Sequence, residues 1–169
     1  MDPENVVVVS LPDRAAAENL LAEVERLHAQ KTLQLRETGV AERGADGTLQ
    51  YSERAQPPLR GTIGGVAAGA LLGLLGGPLG IVAGGAAGGV FGSVLDVAEA
   101  QDAETIVADS SRLLPPGHAL LVVITTERTP DVLDGLVVGF GGKVVSRRPR
   151  GDVERDIAAA ENEALASRG

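Results

Sequence analysis

An α+β fold, two strand–helix–strand halves sharing one antiparallel sheet, is what the sequence predicts, and three observations predict it. Two apolar runs, Val6-Val-Val-Val9 and Ala119-Leu-Leu-Val-Val-Ile124, have the length and β-branched content of buried strands. Each is followed by a stretch whose apolar residues recur at helical spacing, and then by a second extended run. Between the two halves lie 35 residues, 61–95, without one charged side chain.

Taken in order, residues 5–10 form the first strand, and Asp13 stands where a helix cap is wanted. The helix runs to Gln30. Ala17, Leu20, Leu21, Val24 and Leu27 share its inner face, with Glu18, Glu23, Glu25 and Arg26 largely outside it. Leu33 and Leu35 restart extended structure, and 38–43 and 48–54 flank Gly44-Ala-Asp-Gly47, which reads as a hairpin turn. Residues 5–54 are thus the first half, a βαβ unit prolonged into a β-ribbon, and 55–60, with its Pro57-Pro58 pair, is a stiff linker. Residues 96–114 read as a connecting helix with Ile106, Val107, Leu113 and Leu114 as its apolar side, ended by Pro115-Pro-Gly117. The second half spans 118–148: a strand over 118–126, a helix opened by Thr129-Pro130-Asp131, a stop over 139–142 and a strand over 143–146. Val132, Leu133, Leu136 and Val137 are expected to face inward. Residues 152–168 are a charged, peripheral C-terminal helix with only Val153, Ile157 and Leu165 to dock. Two such halves, interleaved into a four-stranded antiparallel sheet with helices on one face, make a ferredoxin-like split βαβ sandwich.

The uncharged run interrupts that sandwich with a pattern of its own. Gly61, Gly65, Gly69, Gly73 and Gly77 form one series at four-residue spacing, and Gly80, Gly84, Gly88 and Gly92 form a second. Each series draws a smooth stripe down one side of a helix. Gly76-Gly77-Pro78 separates them, so the run reads as a helical hairpin with arms 61–76 and 78–95. Thirteen of the 35 residues are glycine, each costing about 1 kcal/mol against alanine inside a helix. Close helix–helix approach is the compensation such stripes provide, which makes these nine glycines the candidate self-association residues. Arms of 16 and 18 residues fall short of the roughly 20 that a spanning helix needs. Two partners therefore remain open: a bilayer thinned around the paired arms, or the hairpins of other subunits. Because the halves on either side pair in one sheet, the insert must leave and return on the same side of any bilayer. An even number of crossings follows.

Composition excludes more than it assigns. A net charge of −8 argues against nucleic acid and supplies no basic collar for anionic lipid. With no cysteine, disulfides, thiol chemistry and most structural zinc sites drop out. The acidic opening Met-Asp-Pro-Glu-Asn is unlike an export signal, so the expectation is an inner-membrane-associated protein with a cytoplasmic head, or else a cytoplasmic one. His28 and His118 are far apart and lack carboxylates at ligand spacing, and no G-x-x-x-x-G-K-[ST] loop occurs. Asp96, Glu99, Asp102 and Glu104 suit a helix dipole as well as a cation. Lys143, Arg147, Arg148 and Arg150 form the one basic patch, either a solvated strand end or a surface for headgroups or an acidic neighbour. No catalytic, cofactor-binding or metal-ligating residue is expected.

The order of parts resembles a family of small bacterial and archaeal proteins carrying a domain of unknown function. In these predicted membrane proteins a ferredoxin-like domain is interrupted by a glycine-zipper segment, and bacterial general-stress proteins of the same plan are distantly similar. The opening VVVV strand, the Ala45-Asp-Gly47 turn, GGPLG at 76–80, Leu114-Pro-Pro-Gly117 and Phe140-Gly-Gly142 carry the resemblance, which covers most of the chain. It implies the fold and an association with membranes, and it supplies no activity or catalytic residue. Two functional expectations follow. One is a non-enzymatic, self-associating protein whose glycine hairpins pack together in or on a membrane, in envelope or stress physiology. The other is a soluble homo-oligomeric ligand-binding or regulatory protein with the hairpins buried between subunits.

Overall fold

A computed structural model describes residues 4–45, 49–55, 114–126 and 130–167. The expected hairpin over 61–95 and all of the connecting helix except Leu114 lie outside the described residues. The elements in order are β1 (Glu4–Leu11), α1 (Arg14–Ala29), β2 (Gln34–Arg43), β3 (Leu49–Ala55), β4 (Ala119–Thr126), α2 (Asp131–Gly139), β5 (Lys143–Pro149) and α3 (Arg150–Ser167). The strands form one antiparallel sheet in the order β3-β2-β4-β1-β5. With β3 set aside, the order β2-β4-β1-β5 is the interleaved pattern of the split βαβ plan. The sheet has five strands where the sequence suggested four, because the outer arm of the ribbon pairs with β2 along its whole length, from Glu37↔Ala55 to Arg43↔Leu49.

Local chemistry sets the ends of the helices. The Asp13 carboxylate accepts the Ala16 N–H at 2.7 Å, capping α1 as expected. Ala17, Leu20, Leu21, Val24 and Leu27 are buried, the face that the spacing predicts. The helix closes with Thr32 N–H donating to the Leu27 carbonyl and Lys31 N–H to that of His28, both at 3.0 Å. This closure turns Lys31 into the left-handed region at φ 60°. At α2, Pro130 already has helical torsions and its carbonyl accepts the Asp134 N–H at 3.0 Å, so the ring opens the helix with no side-chain cap. Leu133 and Val137 are buried, but Val132, expected inside, is 40% exposed: one helical step from Leu133 turns it off the sheet-facing stripe. The helix closes on Gly141 at φ 74°, and the next residue, Gly142, lies against β1. A Cβ on Gly142 would come within 2.8 Å of the Ser10 carbonyl oxygen, so only glycine fits that approach.

Cross-strand register sorts the strand residues onto two faces. Val7, Val9 and Leu11 of β1, Val40 of β2 and Leu121 and Val123 of β4 join α1 and α2 in one apolar cluster. The opposite face carries Val6, Val8, Leu120, Val122 and Ile124, which are 0–3% exposed and absent from that cluster. α3 lies on this opposite side. Arg148, in register with Val6, holds Asp156 of α3 at 2.7 Å, whereas Arg147, in register with Val7, reaches Asp134 of α2 at 2.6 Å. α1 and α2 therefore share one face, as the split βαβ plan expects, and the C-terminal helix α3 lies on the other. Val153 of α3 is buried, while Ala158, Ala159, Asn162 and Ala166 are exposed. Ile157 and Leu165, the other expected anchors, have side chains outside the described residues.

Candidate functional site

None of the nine glycines from Gly61 to Gly92, nor the acidic residues Asp96, Glu99, Asp102 and Glu104, falls within the described residues. The other sequence candidates do, and the structure occupies each with its own chain. His28 turns Nδ1 toward the sheet and accepts the Leu35 N–H at 3.1 Å, filling a backbone requirement at the start of β2. His118 Nδ1 lies 3.4 Å from the Pro116 carbonyl. It follows a turn in which Pro116 and Gly117, at φ 80°, take the two central positions, as a type II turn requires. That turn is sewn to the end of β2, with Gly117 N–H donating to the Arg43 carbonyl at 2.7 Å.

The basic patch does not exist as one surface. Alternation along β5 sends Arg147 to Asp134 on one face and Arg148 to Asp156 on the other. Arg150 donates to Glu154 at 2.7 Å and to Glu4 at 3.0 Å. Burial works against its charge, yet the two carboxylates outweigh burial and raise its pKa. Glu4 also holds Arg36 at 2.8 Å, so one carboxylate ties β2, β1 and the start of α3. Lys143 is exposed. Among the described residues there is no group of three or more side chains able to hold a metal ion.

One stretch of the sheet combines buried charge with buried aliphatic side chains, and the sequence did not announce it. On the face away from α1 and α2, β2 presents Glu37, Gly39 and Ala41 in register with Ile124, Val122 and Leu120 of β4, and alternation adds Arg43. Gly39 and Ala41 set two small residues beside three large aliphatic ones. Glu37 at 4% exposure stands toward one end and Arg43 at 5% toward the other. Six residues of strand, about 20 Å, separate them, too far for mutual pairing. Each instead takes part in an interaction of its own, as buried charge requires. Reading 38–43 as one arm of a ribbon concealed it; the available signal was the small-residue pair Gly39 and Ala41, alternating between charges, opposite an uninterrupted apolar strand.

A family described as "Protein of unknown function (DUF1269)" matches residues 62–160. The matched span takes in the uncharged run from Thr62, all of β4, α2 and β5, and the first part of α3. No curated protein and no solved structure matches the chain. With more than half of its length matched, the chain belongs to the DUF1269 family of proteins of unknown function.

Proposed function

We propose that this is a non-enzymatic, self-associating protein whose glycine-striped segment, residues 61–95, packs with copies of itself in or on a membrane. The observation that carries the reading is the run itself: 35 uncharged residues with nine glycines in two four-residue series. Helices so smooth and so apolar gain little from water and much from direct backbone contact. The sheet topology supports the same reading. β3 and β4 both flank β2, so the segment between them leaves and re-enters one body and would cross a bilayer an even number of times. No helix among the described residues is long and apolar enough to cross a membrane. The cellular setting that suits this arrangement is an inner membrane with the head on the cytoplasmic side, in envelope or stress physiology.

A second reading, a soluble homo-oligomer with a regulatory or ligand-binding role, is favoured by the length of the arms, 16 and 18 residues, against the roughly 20 of a full span. Fractionation followed by light scattering separates the two. Recovery with membranes, and as a discrete oligomer once in detergent, is the expected result; a discrete oligomer in the detergent-free supernatant selects the second reading. Replacing Gly69→Leu and Gly84→Leu together should reduce the particle to a monomer while leaving the circular dichroism of the head unchanged. An unaltered particle size in that variant would overturn self-association through the glycine stripes.

A further inference from the structure

We propose that the outer face of α2 is a contact surface for a second copy of the chain, two α2 helices packing antiparallel about a two-fold axis. The proposal rests on the reading that copies of this protein associate, and it names a contact that their heads make.

Exposure supplies the first argument. Among the described residues the two exposed large hydrophobic side chains are Val132, 40% exposed, and Val138, 72%, and both belong to α2. The exposed positions of this helix are Asp131, Val132, Gly135, Val138 and Gly139, so beyond Asp131 none is polar. Asp134 is half-buried and already tied to Arg147. By contrast α1, on the same side of the sheet, turns Arg14, Glu18, Asn19 and Arg26 to water. A surface helix ordinarily presents such a polar side, and one that lacks it has an apolar face to bury.

The glycines of that face serve no contact inside the molecule. A Cβ on Gly135 or on Gly139 would meet no atom within 4 Å, unlike one on Gly142. Glycine is a poor residue for a helix interior, and Gly135 stands in the middle of a helix of nine residues. Residues 132, 135 and 138 follow one another three apart and share the outer side. What Gly135 permits there is the close approach of another backbone between the two valines.

Charge then selects the occupant. α2 carries Asp131 and Asp134, both in its first turn, and no basic residue. On a chain of net charge −8, such a helix end is repelled by an anionic bilayer. A second α2 laid antiparallel meets an uncharged middle, keeps the two acidic ends at opposite extremes of the contact and opposes the helix dipoles. A parallel pair would crowd the carboxylates together. Nine residues of helix, about 13 Å long, fall far short of a stable interface, which buries about 1,200 Å² or more. The contact therefore forms between copies already held together, where the effective concentration is high.

The test exploits a chain with no cysteine. Gly135→Cys and Val138→Cys are made separately in the full-length protein, with Ala22→Cys, on the exposed side of α1, as the reference. Each is treated with a short bismaleimide in its associated state, and covalent dimer is followed by gel electrophoresis. Both α2 variants are expected to form dimer about tenfold faster than the reference, because facing residues react at a raised effective concentration. Val138→Asp placed in the Gly135→Cys chain should abolish that advantage. Equal rates at the three positions, within an oligomer of unchanged size, would overturn the proposal. So would α2 thiols that resist the reagent while the reference reacts, the sign that lipid or another part of the chain covers the helix. Two α2 positions guard against one variant folding poorly, which circular dichroism reports. Particle size by light scattering reads the glycine-striped segment, and the crosslinking preference within the particle reads α2, so the two readings fail separately.

Discussion

Lys31 shows what one residue tolerates so that its neighbours can be satisfied. The last carbonyls of α1 receive the Lys31 and Thr32 N–H groups only if residue 31 turns left-handed, and a side chain with a Cβ is held at φ 60° to allow it. That conformation costs roughly 1–2 kcal/mol for a residue other than glycine. Part of the gain from a glycine is lost to the greater freedom of the unfolded chain, about 0.5–1 kcal/mol. Lys31→Gly should therefore stabilise the protein by about 0.5–1 kcal/mol and raise the thermal midpoint by about 1–4 °C; a midpoint that falls would mean the turn is not formed. Nothing in the sequence marked this position, because lysine is an ordinary helix residue and only the backbone closure makes it special. Asp13, Pro130, Gly117 and Gly141 were legible for the opposite reason: a capping oxygen, a fixed φ and freedom at positive φ are written in the residue type.

At the scale of an element, α1 was legible nearly to the residue, since five apolar side chains at 3.6-residue spacing admit one buried face. Its outer face carries the pair Arg26–Glu23, three apart, with Arg26 Nε donating to Glu23 at 2.8 Å. The hydrogen bond from Arg26 holds the Glu23 carboxyl below its ordinary value of 4.5, with slight burial opposing and the guanidinium charge assisting. A depressed carboxylate contributes stability that is present above the unfolded value and lost as pH falls through the lower folded one. An NMR titration should accordingly place the Glu23 midpoint below 4.5, and Arg26→Ala should return it to the range of free glutamate; a midpoint unmoved by that change would detach the shift from the pair. β5 and α3 were read less well. Arg147, Arg148 and Arg150 look like one basic cluster in a line of text, and only the alternation of a strand, followed directly by a helix, sends them to different carboxylates on different faces. The outer arm of the ribbon was legible as extended chain, but its place as a fifth strand depends on β2 having a free edge, a property of the whole sheet.

At the scale of the molecule, the two apolar strands carried a sign that both faces of the sheet are covered, which the expectation of helices on one face left unused. A one-sided sheet alternates apolar with polar, whereas β1 and β4 are continuous runs of Val, Leu and Ile. What the runs could not say is which residues cover the second face, because packing partners distant in sequence leave no periodic trace. Adjacent leucines of β4 turn this into a measurement. Leu121 faces α1 and belongs to the main cluster, Leu120 faces the other way, and both are 0% exposed. If both faces are core, Leu121→Ala and Leu120→Ala should each cost about 2–5 kcal/mol in urea unfolding of the full-length chain. A ferredoxin-like sheet open on one side would instead lose only about 0.5 kcal/mol for the outward residue. Equal costs are expected here, since removal of either side chain leaves a cavity that the surrounding sheet and helices can only partly collapse to fill. A near-neutral Leu120→Ala beside a costly Leu121→Ala would show that the second face is not packed in solution.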